Sequence, residues 1–206
     1  MIAVIDYDAG NIKSVEHALT HLGVDAVITR DPEVIRAANG VILPGVGAFG
    51  DAMQKLERYG LISVIREVTD KGTPFLGICL GLQLLFESSE ETPGVSGLGL
   101  LKGKVVRIPD EPGLKIPHIG WNDLSFPKGM VGTLFENLSE HPYVYFVHSY
   151  YLQAQEDVVV AETTYGNTCI HASVQKGNIY ACQFHPEKSS EVGMTILRNF
   201  LKVVEG

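Results

Sequence analysis

Four short apolar runs, MIAVI (1–5), VDAVI (24–28), GVIL (40–43) and PFLGI (74–78), are spaced along the first 78 residues by stretches with helical apolar spacing. Runs so short and so continuously apolar suit strands buried on both faces, the condition of a parallel sheet covered by helices. Between the first two, Ile12, Val15, Leu19 and Leu22 share a helical face that Gly23 ends. Asp31 and Pro32 read as the N-cap and first position of a short helix. Phe49, Ala52, Met53, Leu56 and Tyr59 form the next stripe, which LISVIREV continues as helix, and CLGLQLLFESS reads as helix after the fourth run. From about Leu98 the pattern turns strand-like in LGLLKGKVVRI, YVYFVHSYYL, DVVVAETTY, CIHASVQKG and NIYACQF, and a helix from Glu191 to about Val204 closes the chain. The expected architecture is α/β: a largely parallel central sheet flanked by helices, with a β-rich second half, in one domain spanning 1–206.

Charge and cysteine usage narrow the function. With 16 basic against 24 acidic side chains the net charge is −8, which argues against a nucleic-acid binder. No apolar run reaches membrane-spanning length, and the N-terminus lacks the basic region and long apolar core of a signal peptide, so no membrane association is expected. Cys79, Cys169 and Cys182 form no C-x-x-C pair and are odd in number; a cytoplasmic protein without disulfides, metal or cofactor is expected.

FLGICLGLQ places Cys79 between a buried strand and a helix in the pattern Gly77-Ile78-Cys79-Leu80-Gly81. This is the cysteine counterpart of G-x-S-x-G, the sharp elbow that lifts a nucleophile above a sheet. Small residues two before and two after let strand and helix pack around the strained turn. A helix N-terminus under the sulfur would favour the thiolate, and the Leu80 N–H would be free for an oxyanion. The elbow alone leaves Cys79 open between nucleophile and small buried hydrophobe.

A nucleophilic cysteine needs a base. YACQFHPEKSS ends a strand with His185-Pro186-Glu187, and residues two apart in extended chain point the same way, so Glu187 would lie along the His185 ring and fix its tautomer. The H-x-E spacing also occurs in zinc deaminases, but the P-C-x-x-C they require is absent.

ILPGVGAFGD carries Gly45, Gly47 and Gly50 in the G-x-G-x-x-G spacing of dinucleotide sites. The loop follows the third run rather than the first, and no acidic residue ends the next strand; Cys79 stands there instead. Its amides are therefore read as oxyanion donors beside Cys79.

Together these motifs resemble the class I glutamine amidotransferases, whose G-x-C-x-G-x-Q elbow corresponds to Gly77–Gln83 and whose H-P-E corresponds to His185–Glu187. The resemblance covers essentially the whole chain and implies their flavodoxin-like sandwich. Within the class, DYDAGNIKSV, LPGVGAFGDAM, HIGWN, YFVHSYY and HPEKSS are similar to the glutaminase subunits of imidazole glycerol phosphate synthase. Ala9 replaces a proline found in some of them. The resemblance implies a Cys79–His185–Glu187 triad hydrolysing L-glutamine and an oxyanion held by Leu80 and by Val46 or Gly47. It also implies substrate contacts from Gly47, Gln83 and the Ser149–Tyr150 backbone. The oxyanion loop is expected to rest misoriented until a partner or its ligand turns it. Ammonia would pass to a cyclase subunit in a heterodimer, with Asn11, Trp121 and Lys188 at the interface. Alternatives are the glutaminase domain of another class I amidotransferase, a stand-alone cysteine hydrolase on the same fold, or a non-catalytic module.

Overall fold

In the computed structural model, which describes residues 1–127 and 132–206, the four apolar runs become β1 (Ile2–Ile5), β2 (Ala26–Thr29), β3 (Gly40–Leu43) and β4 (Phe75–Ile78). Their connections are α1 (Ile12–His21), α2 (Pro32–Ala37), α3 (Phe49–Arg58) and α4 (Leu61–Asp70). Then follow α5 (Leu80–Leu84), β5 (Ser88–Ser89), β6 (Gly103–Arg107), β7 (His118–Asp123) and β8 (Tyr143–His148). The chain ends with β9 (Tyr150–Ala154), β10 (Val159–Tyr165), β11 (Thr168–Lys176), β12 (Ile179–Cys182) and α6 (Ser190–Glu205).

The central sheet has the order β10-β11-β12-β4-β3-β1-β2. Every pair from β12 to β2 is parallel, and β10–β11 and β11–β12 are antiparallel. The order β2-β1-β3-β4 is that of a flavodoxin-like sheet, whose ligands sit beyond the carboxyl ends of the strands. Alternation along the strands divides the core. Ala3, Ile5, Val41, Leu43, Phe75 and Ala181 pack on one face with residues of α2, α3 and α4. Ile2, Val4, Ile42, Leu76, Ile78 and Cys182 pack on the other with residues of α1 and α6.

The expected class holds, with local differences. Asp31 caps α2 by accepting from Glu33 N–H at 2.9 Å, as read. The α3 stripe does not run on as one helix: Gly60 at φ +65° breaks it from α4. The helix after Cys79 is five residues long. Leu98, Leu100 and Gly99 donate to the carbonyls of Leu84, Leu85 and Phe86, which a continuing helix would need. Only the end of LGLLKGKVVRI is strand, in β6. YVYFVHSYYL divides at Ser149 into β8, paired with β7, and β9, paired with β6. The β-rich half thus lies partly in two small separate sheets.

Candidate active site

Because β12 and β4 are parallel neighbours with Cys182 opposite Ile78, the residues that follow each strand emerge side by side. Cys79 N–H donates to the Cys182 carbonyl at 2.7 Å, extending the ladder to the elbow. There Cys79 adopts φ 54°, ψ −108°, a conformation costly for a residue with a side chain and common at functional sites. The flanking glycines are required as the motif implied. A Cβ on Gly81 would run into the Leu43 carbonyl oxygen, and one on Gly77 would come within 2.9 Å of the Gly81 carbonyl.

His185 Nδ1 lies 2.8 Å from Glu187 Oε1, and both side chains are withdrawn from solvent. The expected extended H-P-E is not how they meet. Pro186–Lys188 is a 3-10 turn for which His185 is the N-cap, and the turn folds Glu187 back onto its ring. A carboxylate facing Nδ1 makes that nitrogen the protonated one and leaves Nε2 buried without a hydrogen-bond partner. Burial opposes charge on His185, but the Cys79 sulfur and Glu187 outweigh it and raise its pKa to about 10.

Cys79 and His185 open onto a cavity of about 290 Å³ that Val46, Gly47, Leu80, Gln83, Ser149 and Tyr150 also line. The volume suits a small polar molecule. Every expected nucleophile, base, oxyanion and substrate position is at this cavity except Glu187, which sits behind His185.

Three expectations change in detail. The Leu80 N–H is not free: it donates to the Gly45 carbonyl at 3.3 Å, so the glycine loop places an acceptor where a second donor was expected. Gln83 is buried, and its Nε2 donates to the Tyr150 carbonyl at 3.1 Å and to Gln183 Oε1 at 2.9 Å. It therefore shapes the cavity wall. The helix beneath the sulfur is five residues long, too short to contribute much of a dipole.

Sequence reading missed a second layer. Tyr7 hydroxyl donates to the Pro44 carbonyl at 2.9 Å, bracing the glycine loop from β1. The His148 ring is buried, with Nδ1 2.9 Å from the Tyr150 carbonyl and Nε2 3.0 Å from His118 Nδ1. His118 Nε2 in turn lies 2.9 Å from Asn122 Oδ1. Gln183 is wholly buried beside Cys79. The one available signal was polarity: Gln183 and His148 are polar residues inside otherwise apolar strand-like runs.

Of the interface candidates, Trp121 lies in β7 and is 49% exposed. It faces outward with Ile119, 59% exposed, and Tyr143, 56% exposed, and its ring sits 6.1 Å from that of Tyr145. Register puts Ile119 opposite Val147, a wall of the cavity, so this apolar face reaches the site. Lys188, next to Glu187, is exposed. Asn11 is half-buried and donates to Glu187 Oε1 at 2.8 Å.

The sequence matches the glutamine amidotransferase class-I family over residues 3–204. It is 50% identical over 204 residues to the imidazole glycerol phosphate synthase subunit HisH of Methanothermobacter thermautotrophicus, covering 99% of each chain. To the HisH subunit of Moorella thermoacetica it is 52% identical over 203 residues, covering 98% of this chain and 95% of the relative. The fold is similar to that of a solved glutamine amidotransferase, with a TM-score of 0.76 at 21% identity over all of both chains. PurLQS from Thermotoga maritima has the same fold, with a TM-score of 0.74 at 23% identity over 98% of each chain.

Proposed function

The chain belongs to the class-I glutamine amidotransferase family, and from that premise we propose that it is the glutaminase subunit of an imidazole glycerol phosphate synthase, releasing ammonia from glutamine for a cyclase partner. The observation that carries the reading is the convergence, over one small cavity, of the strained Cys79 with a His185 ring held by Glu187 at 2.8 Å.

In this reading the Cys79 thiolate attacks the side-chain carbonyl of glutamine, and the carbonyl electrons move onto oxygen. Collapse of that oxyanion expels ammonia, which takes its proton from His185 Nε2 and leaves a thioester on Cys79. Nε2 then takes a proton from water, whose oxygen attacks the thioester and releases glutamate. Glu187 holds the tautomer and the imidazolium. Leu80 and Val46 or Gly47 amides serve the oxyanion. The Gly45 carbonyl on Leu80 N–H supports a resting loop that must turn before two amides face the substrate oxygen. Gly47, Gln83 and the Ser149–Tyr150 backbone form the substrate wall.

Ammonia set free in neutral water becomes ammonium and loses its nucleophilicity, so delivery within a complex is required. The exposed Ile119–Trp121–Tyr143 face, continuous with the cavity through Val147, suits the docking of a cyclase subunit. We place the protein in the cytoplasm as one glutaminase domain over 1–206; no helix among the described residues is long and apolar enough to cross a membrane.

The test is glutamate release by the full chain with and without a purified cyclase subunit and its phosphorylated ligand. Activity rising with the partner and vanishing in Cys79→Ala is expected. Strong turnover alone, unchanged by the cyclase, would favour a stand-alone hydrolase; activation by an anthranilate or guanylate synthase partner instead would move the protein to another branch of the family.

A further inference from the structure

Cys79 ends in a sulfur whose surroundings do not by themselves favour an anion. The Val147 carbonyl oxygen lies 4.0 Å from it, a possible acceptor for the thiol proton but a repulsive neighbour for a thiolate. The first amide of the short α5, Leu80 N–H, is taken by the Gly45 carbonyl at 3.3 Å. Opposite stands Gln183, one residue beyond β12 and wholly buried, with Nε2 3.7 Å from the sulfur.

We propose that the Gln183 amide is a second hydrogen-bond donor to the reacting sulfur, holding the Cys79 thiolate together with His185. The proposal rests on Cys79 being the nucleophile and adds a catalytic group to the triad.

The polarity of a short chain of amides fixes which end of Gln183 meets the sulfur. A backbone carbonyl only accepts, so Gln83 must present its NH2 to Tyr150, 3.1 Å away. That same nitrogen lies 2.9 Å from Gln183 and requires an acceptor there, which is Oε1. The remaining end of Gln183, its NH2, is the one turned to Cys79. The run Tyr150 C=O, Gln83, Gln183, Cys79 thus connects the substrate wall to the nucleophile, every link with donor facing acceptor. Register secures it: the Gln183 N–H donates to the Ala172 carbonyl at 2.8 Å, fixing the residue that carries the amide.

Ionisable groups acting on the sulfur include His185, Tyr7 and Cys182, while His148, kept neutral by burial, and the Glu91 carboxylate, which accepts from Phe49 N–H, line the same cavity and add no positive charge. Burial raises the pKa of Tyr7 and of Cys182, so both stay neutral at ordinary pH and neither supplies positive charge. Glu187 acts on the site through His185. A buried N–H donor adds stabilisation beside the imidazolium. Its effect falls on the resting thiolate: once the thioester forms, the sulfur carries no charge and the contact weakens. Gln183 therefore sets the fraction of enzyme poised to attack more than the height of the chemical barrier.

The test is the rate of Cys79 alkylation by iodoacetamide as a function of pH, for the full chain as wild type, Gln183→Met and Gln183→Glu, with thermal unfolding run in parallel. Iodoacetamide needs no oxyanion loop, so the rate reads the sulfur alone. Removing one donor to a charged group is expected to lower the neutral-pH rate about tenfold in Gln183→Met and to shift the rate–pH curve toward higher pH. Gln183→Glu has nearly the same shape and sets a carboxylate against the sulfur, so its rate should fall further. Should Gln183→Met fail to fold, Gln183→Glu alone decides. Unmoved curves in folded variants, with only KM or melting temperature changed, would reduce Gln183 to a brace for Gln83 and overturn the proposal. A wild type alkylated no faster at Cys79 than at Cys169, located by peptide mass, would instead sink the catalytic reading of the site.

Discussion

Asn11 and Glu187, 176 residues apart, are joined by a 2.8 Å hydrogen bond from Asn11 Nδ2 to Glu187 Oε1, the oxygen that also faces His185 Nδ1. Ser14 Oγ donates to Asn11 Oδ1 at 2.7 Å and so fixes which end of the amide faces the carboxylate. The loop after β1 is thereby tied to the carboxylate that faces His185. Asn11→Ala should lower kcat roughly tenfold by removing a donor to a buried carboxylate. Asn11→Asp, which adds a second carboxylate, should be worse. Both are read as glutamate release at saturating cyclase subunit. Full kcat at saturation with weakened partner binding would return Asn11 to the interface role that the sequence suggested.

Gly81 is where the elbow tolerates least. Its missing Cβ is the space taken by the Leu43 carbonyl, so Gly81→Ala must push α5 off β3 or distort Cys79. Overpacking of this kind costs about 1–3 kcal/mol. The urea midpoint should fall by the corresponding amount, with glutaminase activity falling more than stability. An unchanged midpoint and activity would mean that the elbow is not held by this contact.

Trp121 predicts the opposite division between stability and binding. Nearly half exposed, it contributes little to the isolated fold. Trp121→Ala should leave the melting temperature within a degree or two while weakening cyclase binding by about 2 kcal/mol, roughly thirtyfold in Kd, if it anchors the interface. Calorimetric titration of the two subunits measures this. A collapsed melting temperature would make the ring part of the core.

The central sheet and the elbow at Cys79 were legible because each depends on local chemistry. GVIL and PFLGI could be little but buried strands, and Gly77-x-Cys79-x-Gly81 marks a turn that larger residues cannot make. What stayed hidden depends on contacts distant in sequence. The carbonyls of Leu84–Phe86 are taken by residues 98–100, and nothing within CLGLQLLFESS announces that its helix stops early. The division of YVYFVHSYYL at Ser149 is decided by its partners, β7 and β6. Glu187 reached His185 by a 3-10 turn, so the pairing followed from the spacing although the backbone shape did not. Gln183 lacked a signature because an amide earns its role only from the sulfur opposite it.

The histidines set opposite limits on stability. Burial lowers the pKa of His148 to about 3, so its ring is neutral in the native state at mildly acidic pH, and burial acts in the same direction on His118. Unfolded, they take up protons below about pH 6.5. The unfolded chain then binds more protons than the native one, and stability falls as pH drops from 6.5 toward 3, by up to about 1.4 kcal/mol per unit for a fully buried ring. His185 does the reverse. Burial opposes its charge, but Cys79 and Glu187 raise its pKa to about 10, so its contribution is full below pH 6.5 and is lost as pH rises toward 10. Urea unfolding across pH should therefore give a dome with separable sides. His148→Asn, whose Nδ2 can take the place of Nδ1 as donor to the Tyr150 carbonyl, should flatten the acid side between about pH 6.5 and 5, above the range where carboxylates dominate. His185→Asn should flatten the alkaline side and leave the acid side in place. If His148→Asn left the acid slope unchanged, the protons taken up on unfolding would have to belong to other histidines, and buried His148 would carry charge in the native fold.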